Sequence, residues 1–190
     1  MLDSAMGENR LSMRYSARDL SLAGLFGALG VALPMLFHVV GLGKVFLPMH
    51  LPVLTCGLLV TPPVGFAVGF VTPLISSIAT GMPPLIPMAL LMTLELGAIG
   101  AGAGVARRIL NLPSVAAVVF AMILGRVVGG LETISIAPLL GLKPDIGAYL
   151  AASIVTSWPG LLLQLAVAPA VAAAIDKLPS SMIRNGKEAL

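Results

Sequence analysis

Glu95, Arg126 and Glu132 are ionisable, yet each stands inside a long apolar run. A charge at bilayer depth costs about 3 kcal/mol on insertion scales, so each side chain must face a partner or a polar cavity. Arg126 offers a planar fork that matches a carboxylate or another acceptor on a ligand, with Glu95 orienting that fork or receiving a ligand donor. Alternatively, Glu95 and Arg126 neutralise each other and pin two helices together. Both hold if the pair lines a cavity. Glu132 is six residues from Arg126 and so points two-thirds of a turn round the helix from it, which makes direct i,i+4 pairing unavailable unless Gly129-Gly130 relaxes the geometry.

His50 opens an unusual proline-rich stretch and suits a hydrogen-bonding or lid role, whereas His38 lies across the first outer loop from it. Two histidines without a nearby carboxylate make a poor metal site, and no metal is expected. Trp158 either stacks on a flat ligand ring or packs as an ordinary aromatic; Gln164 lies deeper and bridges helices. The single cysteine, Cys56, rules out an internal disulfide and sits among apolar neighbours as an inert thiol. No Gly-x-Ser-x-Gly, His-Glu-x-x-His or P-loop occurs. The expectation is therefore no catalytic residue and no cofactor bound by this chain, with any use of ATP left to another subunit.

The elements that hold these residues are membrane helices. Of the 190 residues 58% are hydrophobic and only 10% charged, and mean hydropathy is +1.04. Soluble domains carry about a quarter charged residues. At roughly 20 residues per crossing, the length allows six spans and no separate soluble domain. The net charge of +3 comes without a basic face, so nucleic acid is not an expected partner.

The predicted fold is an all-α integral membrane protein of six helices. A polar tail covers 1–17, a single membrane domain 18–177, and a second polar tail 178–190. The segments run over about 18–40, 49–60, 64–80, 85–109, 113–136 and 148–175, the last with a kink expected at Pro159-Gly160. No removable signal peptide is expected at the N-terminus. The stretch Leu47–Pro87 carries eight prolines, each of which removes a backbone donor. Broken segments of this kind are where membrane proteins build substrate sites. Segments two and three therefore read as tilted or broken spans, or as one re-entrant pair. With six crossings, Arg10, Arg14, Arg18, Arg107, Arg108, Lys177, Arg184 and Lys187 share one side, against Lys44 and Lys143 on the other. The positive-inside rule then puts both termini in the cytoplasm. Counting along the helices places Glu95, Arg126 and Trp158 in one layer roughly 15 Å below the outer surface.

Together GLGKVFLPMHLPVLTCGLLVTPPVGFAVGFVTPLISSIATGMPP, the later AMILGRVVGG and the closing SWPGLLLQ resemble the substrate-binding S-components of energy-coupling factor (ECF) transporters, the vitamin importers of prokaryotes. The resemblance covers about residues 18–177. It implies six helices and a ligand site near the outer face under the first outer loop, with helices four to six contributing. It also implies high-affinity binding and import of a vitamin or vitamin-like molecule. A separate membrane coupling subunit and two ATPase subunits would topple the S-component to release the ligand inward. The family's small-residue pattern in helix one contacts the coupling subunit; Ala23, Gly24, Gly27 and Ala28 match it, with glycines in place of part of the usual alanine pair. Substrate-binding candidates are His50, Glu95, Arg126, Glu132 and Trp158. Arg126 suits a carboxylated ligand and Glu95 with Trp158 an aromatic amine, a choice that stays open. A structural or assembly protein and a stand-alone carrier are the competing readings.

Overall fold

The computed structural model describes residues 16–39, 41 and 43–177, without the side chains of His38, Val39 and Lys44. The polar tails, apart from Ser16 and Ala17, lie outside the described residues, as do their arginines and lysines and any approach of His38 to His50. Every described element is helical. In chain order they are α1 (Ala17–Val39), α2 (Gly43–Phe46), α3 (His50–Leu59), α4 (Pro62–Thr80), a π-helical turn (Leu85–Ala89) running into α5 (Leu90–Arg108), α6 (Ser114–Ser135), a 3-10 turn (Ala137–Leu140), α7 (Ile146–Leu150) continued by a π turn (Ala151–Thr156), and α8 (Trp158–Asp176). Five of these are long and apolar enough to cross a bilayer: α1, α4, α5 with its leading turn, α6 and α8.

One end of the bundle is marked by charge. Arg18 at the start of α1 and Arg107 at the end of α5 both reach the Asp176 carboxylate at the end of α8, at 3.5 and 3.4 Å. Arg108 donates to the Leu59 carbonyl at the end of α3. The Arg18 and Arg107 pairs are about a third exposed, and pairs of that kind contribute at most about 1 kcal/mol. They mark a shared end more than they hold it.

Of the alternatives for segments two and three, a break in segment three is not found. Segment three is a full-length helix of 19 residues, with Pro73 buried inside it. One lost backbone donor is tolerable where neighbouring helices enclose the turn. Segment two is the short one: α3 has ten residues, about 15 Å of helix, and the buried non-helical residues Pro48 and Met49 lead into it. Segment six also differs. It is not a kinked continuous helix, because the chain leaves helical geometry at Ser157 (φ −96°, ψ 11°) and α8 starts afresh at Trp158 with Pro159 in its first turn, a position where the missing N–H is not needed.

The core lies where α3, α4 and α5 meet, around the fully buried Val53, Leu54, Leu59 and Leu96. Apolarity does not drive association in lipid, so close backbone approach must. A Cβ on Gly65 would stand 2.5 Å from the Gly100 carbonyl oxygen, and one on Gly100 would stand 2.1 Å from the Gly65 carbonyl oxygen. The obstacle is backbone on both sides, so it cannot turn aside. Gly65→Ala is expected to cost about 1–3 kcal/mol, read as a lower unfolding temperature in detergent; an unchanged temperature would mean that α4 and α5 separate without penalty. By contrast α1 is peripheral, with only 17% of its apolar window buried against 44% for α4 and for α5. It keeps a face to spare.

Candidate functional site

α5 and α6 bring Glu95 and Arg126 together. Arg126 Nη1 donates to Glu95 Oε1, and the two side chains are 11% and 13% exposed. Their depths match: Glu95 lies about 20 Å along α5 from Arg108, and Arg126 about 18 Å along α6 from Ser114. On the other side of Glu95, His50 Nε2 stands 3.6 Å from the same Oε1. That is too long for a hydrogen bond but close enough to feel the carboxylate. His50 is thus not at the rim of the outer loop. The non-helical lead-in through Pro48 and Met49 carries it inward, so that the first turn of α3 meets the middle of α5.

One residue of the α6–α8 connection joins the cluster. Tyr149, on α7, leans over Gly129 of α6; a Cβ there would stand 2.2 Å from Tyr149 Oη and 2.8 Å from Glu95 Oε2. Gly129 is therefore glycine to admit a phenol and a carboxylate at once, not to loosen α6. Tyr149 Oη and Ser153 Oγ are buried without a hydrogen-bond partner, as are both oxygens of Glu132. Glu132 itself is 4% exposed. A buried carboxyl group with no hydrogen-bond partner is costly, so Glu132 is a polar group awaiting one. Neither Tyr149 nor Ser153 was expected from the sequence. The available signal was that Tyr149 is one of only two tyrosines and lies in an otherwise apolar stretch.

Trp158 does not join the cluster. The break at Ser157 makes it the first residue of α8, about 27 Å from Asp176 along the helix and 60% exposed. The depth assigned to it assumed an unbroken segment six. Gln164 is buried as expected, with its Nε2 unpartnered.

Among the hollows of the bundle, two reach this cluster and another lies apart from it. A chamber of about 200 Å³ lies at the end away from the Arg18–Asp176–Arg107 contacts, lined by Pro34 of α1, the Leu47–His50 stretch, and Met82, Met88 and Met92. An apolar groove of about 510 Å³ between α6 and α8 has Arg126 as its one charged lining residue. A third, about 590 Å³ and apolar, runs between α1 and α4; Ala23, Gly24, Gly27 and Ala28 form its α1 wall, opposite Ala67 and Val71.

Comparison with known families decides what such a bundle is. The family model for "ECF transporter, substrate-specific component" matches residues 18–172, most of the chain. The protein belongs to this family. It is thus an S-component: an integral, multi-pass membrane protein and the substrate-specific part of a transporter, not an enzyme. No curated protein and no solved structure gives a significant match. The matched span includes His50, Glu95, Arg126, Glu132, Tyr149, Trp158 and Gln164.

Proposed function

We propose that this S-component captures a vitamin or vitamin-like small molecule from outside the cell and passes it inward within an ATP-driven ECF complex. The observation that carries the reading is the buried line His50–Glu95–Arg126, flanked by the unpartnered carboxyl group of Glu132 and lying beneath a chamber at one end of the bundle. A pair kept only to join α5 and α6 would need no histidine, no phenol and no unsatisfied carboxylate beside it. In this reading the chain crosses six times, with the short α3 and its buried lead-in forming the second crossing. The end bearing Arg18, Arg107, Arg108 and Lys177 is cytoplasmic, in line with the positive-inside rule. The α1–α4 groove takes a helix of the membrane coupling subunit. Two separate ATPase subunits hydrolyse the ATP, and the S-component itself binds no cofactor. Its ligand lies against His50, Glu95, Arg126 and Glu132.

Mass spectrometry of small molecules released from the purified protein, followed by titration of each hit, tests this. A stoichiometric vitamin-like compound supports the reading. A folded sample that releases none, and binds none of a vitamin panel, would return the weight to an assembly role.

A further inference from the structure

We infer that, in the free S-component, the α1–α4 groove holds one acyl chain of an anionic phospholipid whose phosphate is bound by Arg18 and Arg107. The site itself is independent of the transport reading; only its consequence for docking rests on that reading.

Length and lining fit a chain. The groove runs from Leu20 to Val31 on α1 and from Pro63 to Ile75 on α4, about 17 Å of helix on either wall. That is close to one leaflet of a hydrocarbon core about 30 Å thick. The lining is apolar apart from Thr72, and the Thr72 hydroxyl already donates to the Val68 carbonyl. The α1 wall is low: a Cβ on Gly24 would meet no atom within 4 Å, and one on Gly27 only Thr72 Oγ1 at 3.9 Å. With 17% of its apolar window buried, α1 leaves this face to the bilayer.

Charge sets the head group. The groove begins beside the basic end of the bundle, because Leu20 is two residues from Arg18. On the other wall, a Cβ on Gly104 would stand 3.0 Å from Pro62 Cα, so the last turn of α5, which carries Arg107, packs at the start of α4. Arg18 and Arg107 share one carboxylate, Asp176, at 3.5 and 3.4 Å, longer than most hydrogen bonds. Each guanidinium has five N–H donors, and Asp176 takes one from each. Two cations against one carboxylate leave a positive charge over, on side chains about a third exposed. The exposed Arg108 and Lys177 add to it, whereas Asp19, the other acid at this end among the described residues, is buried.

A guanidinium fork matches phosphate oxygens, and basic pockets between membrane helices bind anionic head groups. A zwitterionic lipid would fill the groove equally well but would bring a cation back to the arginines. A second copy of the chain, docked in parallel through α1, would set two basic ends against each other. In the proposed transport complex the lipid and the helix of the coupling subunit exclude each other, so docking releases the lipid.

The experiment is native mass spectrometry of the full-length protein, released from micelles that contain equal amounts of phosphatidylglycerol and phosphatidylcholine with identical chains. The expected result is one retained phosphatidylglycerol, preferred at least fivefold. A basic residue near a membrane surface contributes about 1 kcal/mol, or about fivefold, to such attraction. Arg18→Gln and Arg107→Gln should each lower the preference by about 2- to 5-fold. Asp176→Asn, which removes the competing carboxylate, should raise it, an outcome that a loosened fold would not produce. Gly24→Leu, whose side chain enters the groove, should lower retention of both lipids at least fivefold and leave the preference between them unchanged. Glycerol 3-phosphate, a head group without chains, should not compete.

Equal retention of the two lipids, a preference that survives both arginine substitutions, retention unaffected by Gly24→Leu, or competition by glycerol 3-phosphate each overturns the proposal. If the same sample releases and rebinds a vitamin-like ligand, only the lipid site falls and the transport reading stands. Selective lipid retention by a folded protein that binds no small molecule keeps the site and removes its consequence for docking.

Discussion

Arg126→Ala is expected to lower the stability of the S-component by about 3–5 kcal/mol, because it leaves the Glu95 carboxylate buried without its cation. It should also weaken ligand binding. The first effect follows from the pair itself: Glu95 is held by Arg126 Nη1 with only 11% of its side chain exposed, and His50 at 3.6 Å is too distant to replace the lost donor. The single mutant alone does not separate a structural from a ligand-binding role, since a loosened α5–α6 contact disturbs anything bound beside it. The double variant Glu95→Gln/Arg126→Gln does. It removes both charges while keeping similar volume, and replacing a buried pair by neutral groups is often nearly neutral for stability. Its unfolding temperature should return most of the way to that of the parent. If ligand affinity returns as well, the pair only joins helices. Affinity that stays low in a restored fold assigns the pair to the ligand. Unfolding temperature in one detergent and titration with the released ligand are the two measurements required.

Gly24→Leu is expected to leave ligand affinity and unfolding temperature unchanged and to reduce uptake at least tenfold. A Cβ at Gly24 would meet no atom within 4 Å, so the isolated S-component accommodates a side chain there. That side chain projects along the α1–α4 groove, whose volume of about 590 Å³ would hold a partner's side chains in the proposed complex. Close helix approach in a membrane depends on small residues at the contact, and a leucine sets the two helices apart. Gly30 provides the contrast on the same helix. A Cβ there would stand 2.6 Å from Thr72 Cγ2, so Gly30→Leu disturbs the α1–α4 contact inside the S-component and lowers its unfolding temperature. Normal uptake by Gly24→Leu, in a reconstituted complex or in cells, would remove this face from the docking surface.

The class of this protein was legible in composition, since a chain that is 58% hydrophobic and 10% charged must satisfy its backbone internally and so forms helices. Four of the long helices were legible too, within a few residues at each end, because an apolar run bounded by Gly, Pro or Arg leaves little choice of limits; α8 was not, since it starts ten residues later than expected. The partnership of Glu95 with Arg126 could be anticipated, because charges in lipid need partners and equal depth follows from helical rise. The small residues of α1 announced a spare face, and that face borders a groove.

What tertiary structure alone decided depends on breaks in helical geometry and on contacts across the chain. Prolines indicate where a donor is missing but not whether neighbours enclose the turn; hence Pro73 sits in an unbroken α4. The sequence could not reveal that Pro48 and Met49 are buried and carry His50 down to Glu95. Nor did it signal the departure at Ser157, where one residue out of helical φ and ψ starts a new helix and removes Trp158 from the layer that counting had assigned to it. The same break frees the Ile146–Thr156 segment to lay Tyr149 over Gly129. Helical rise sets depth only within a continuous helix; once the chain breaks, neighbours made by packing decide which side chains share a site.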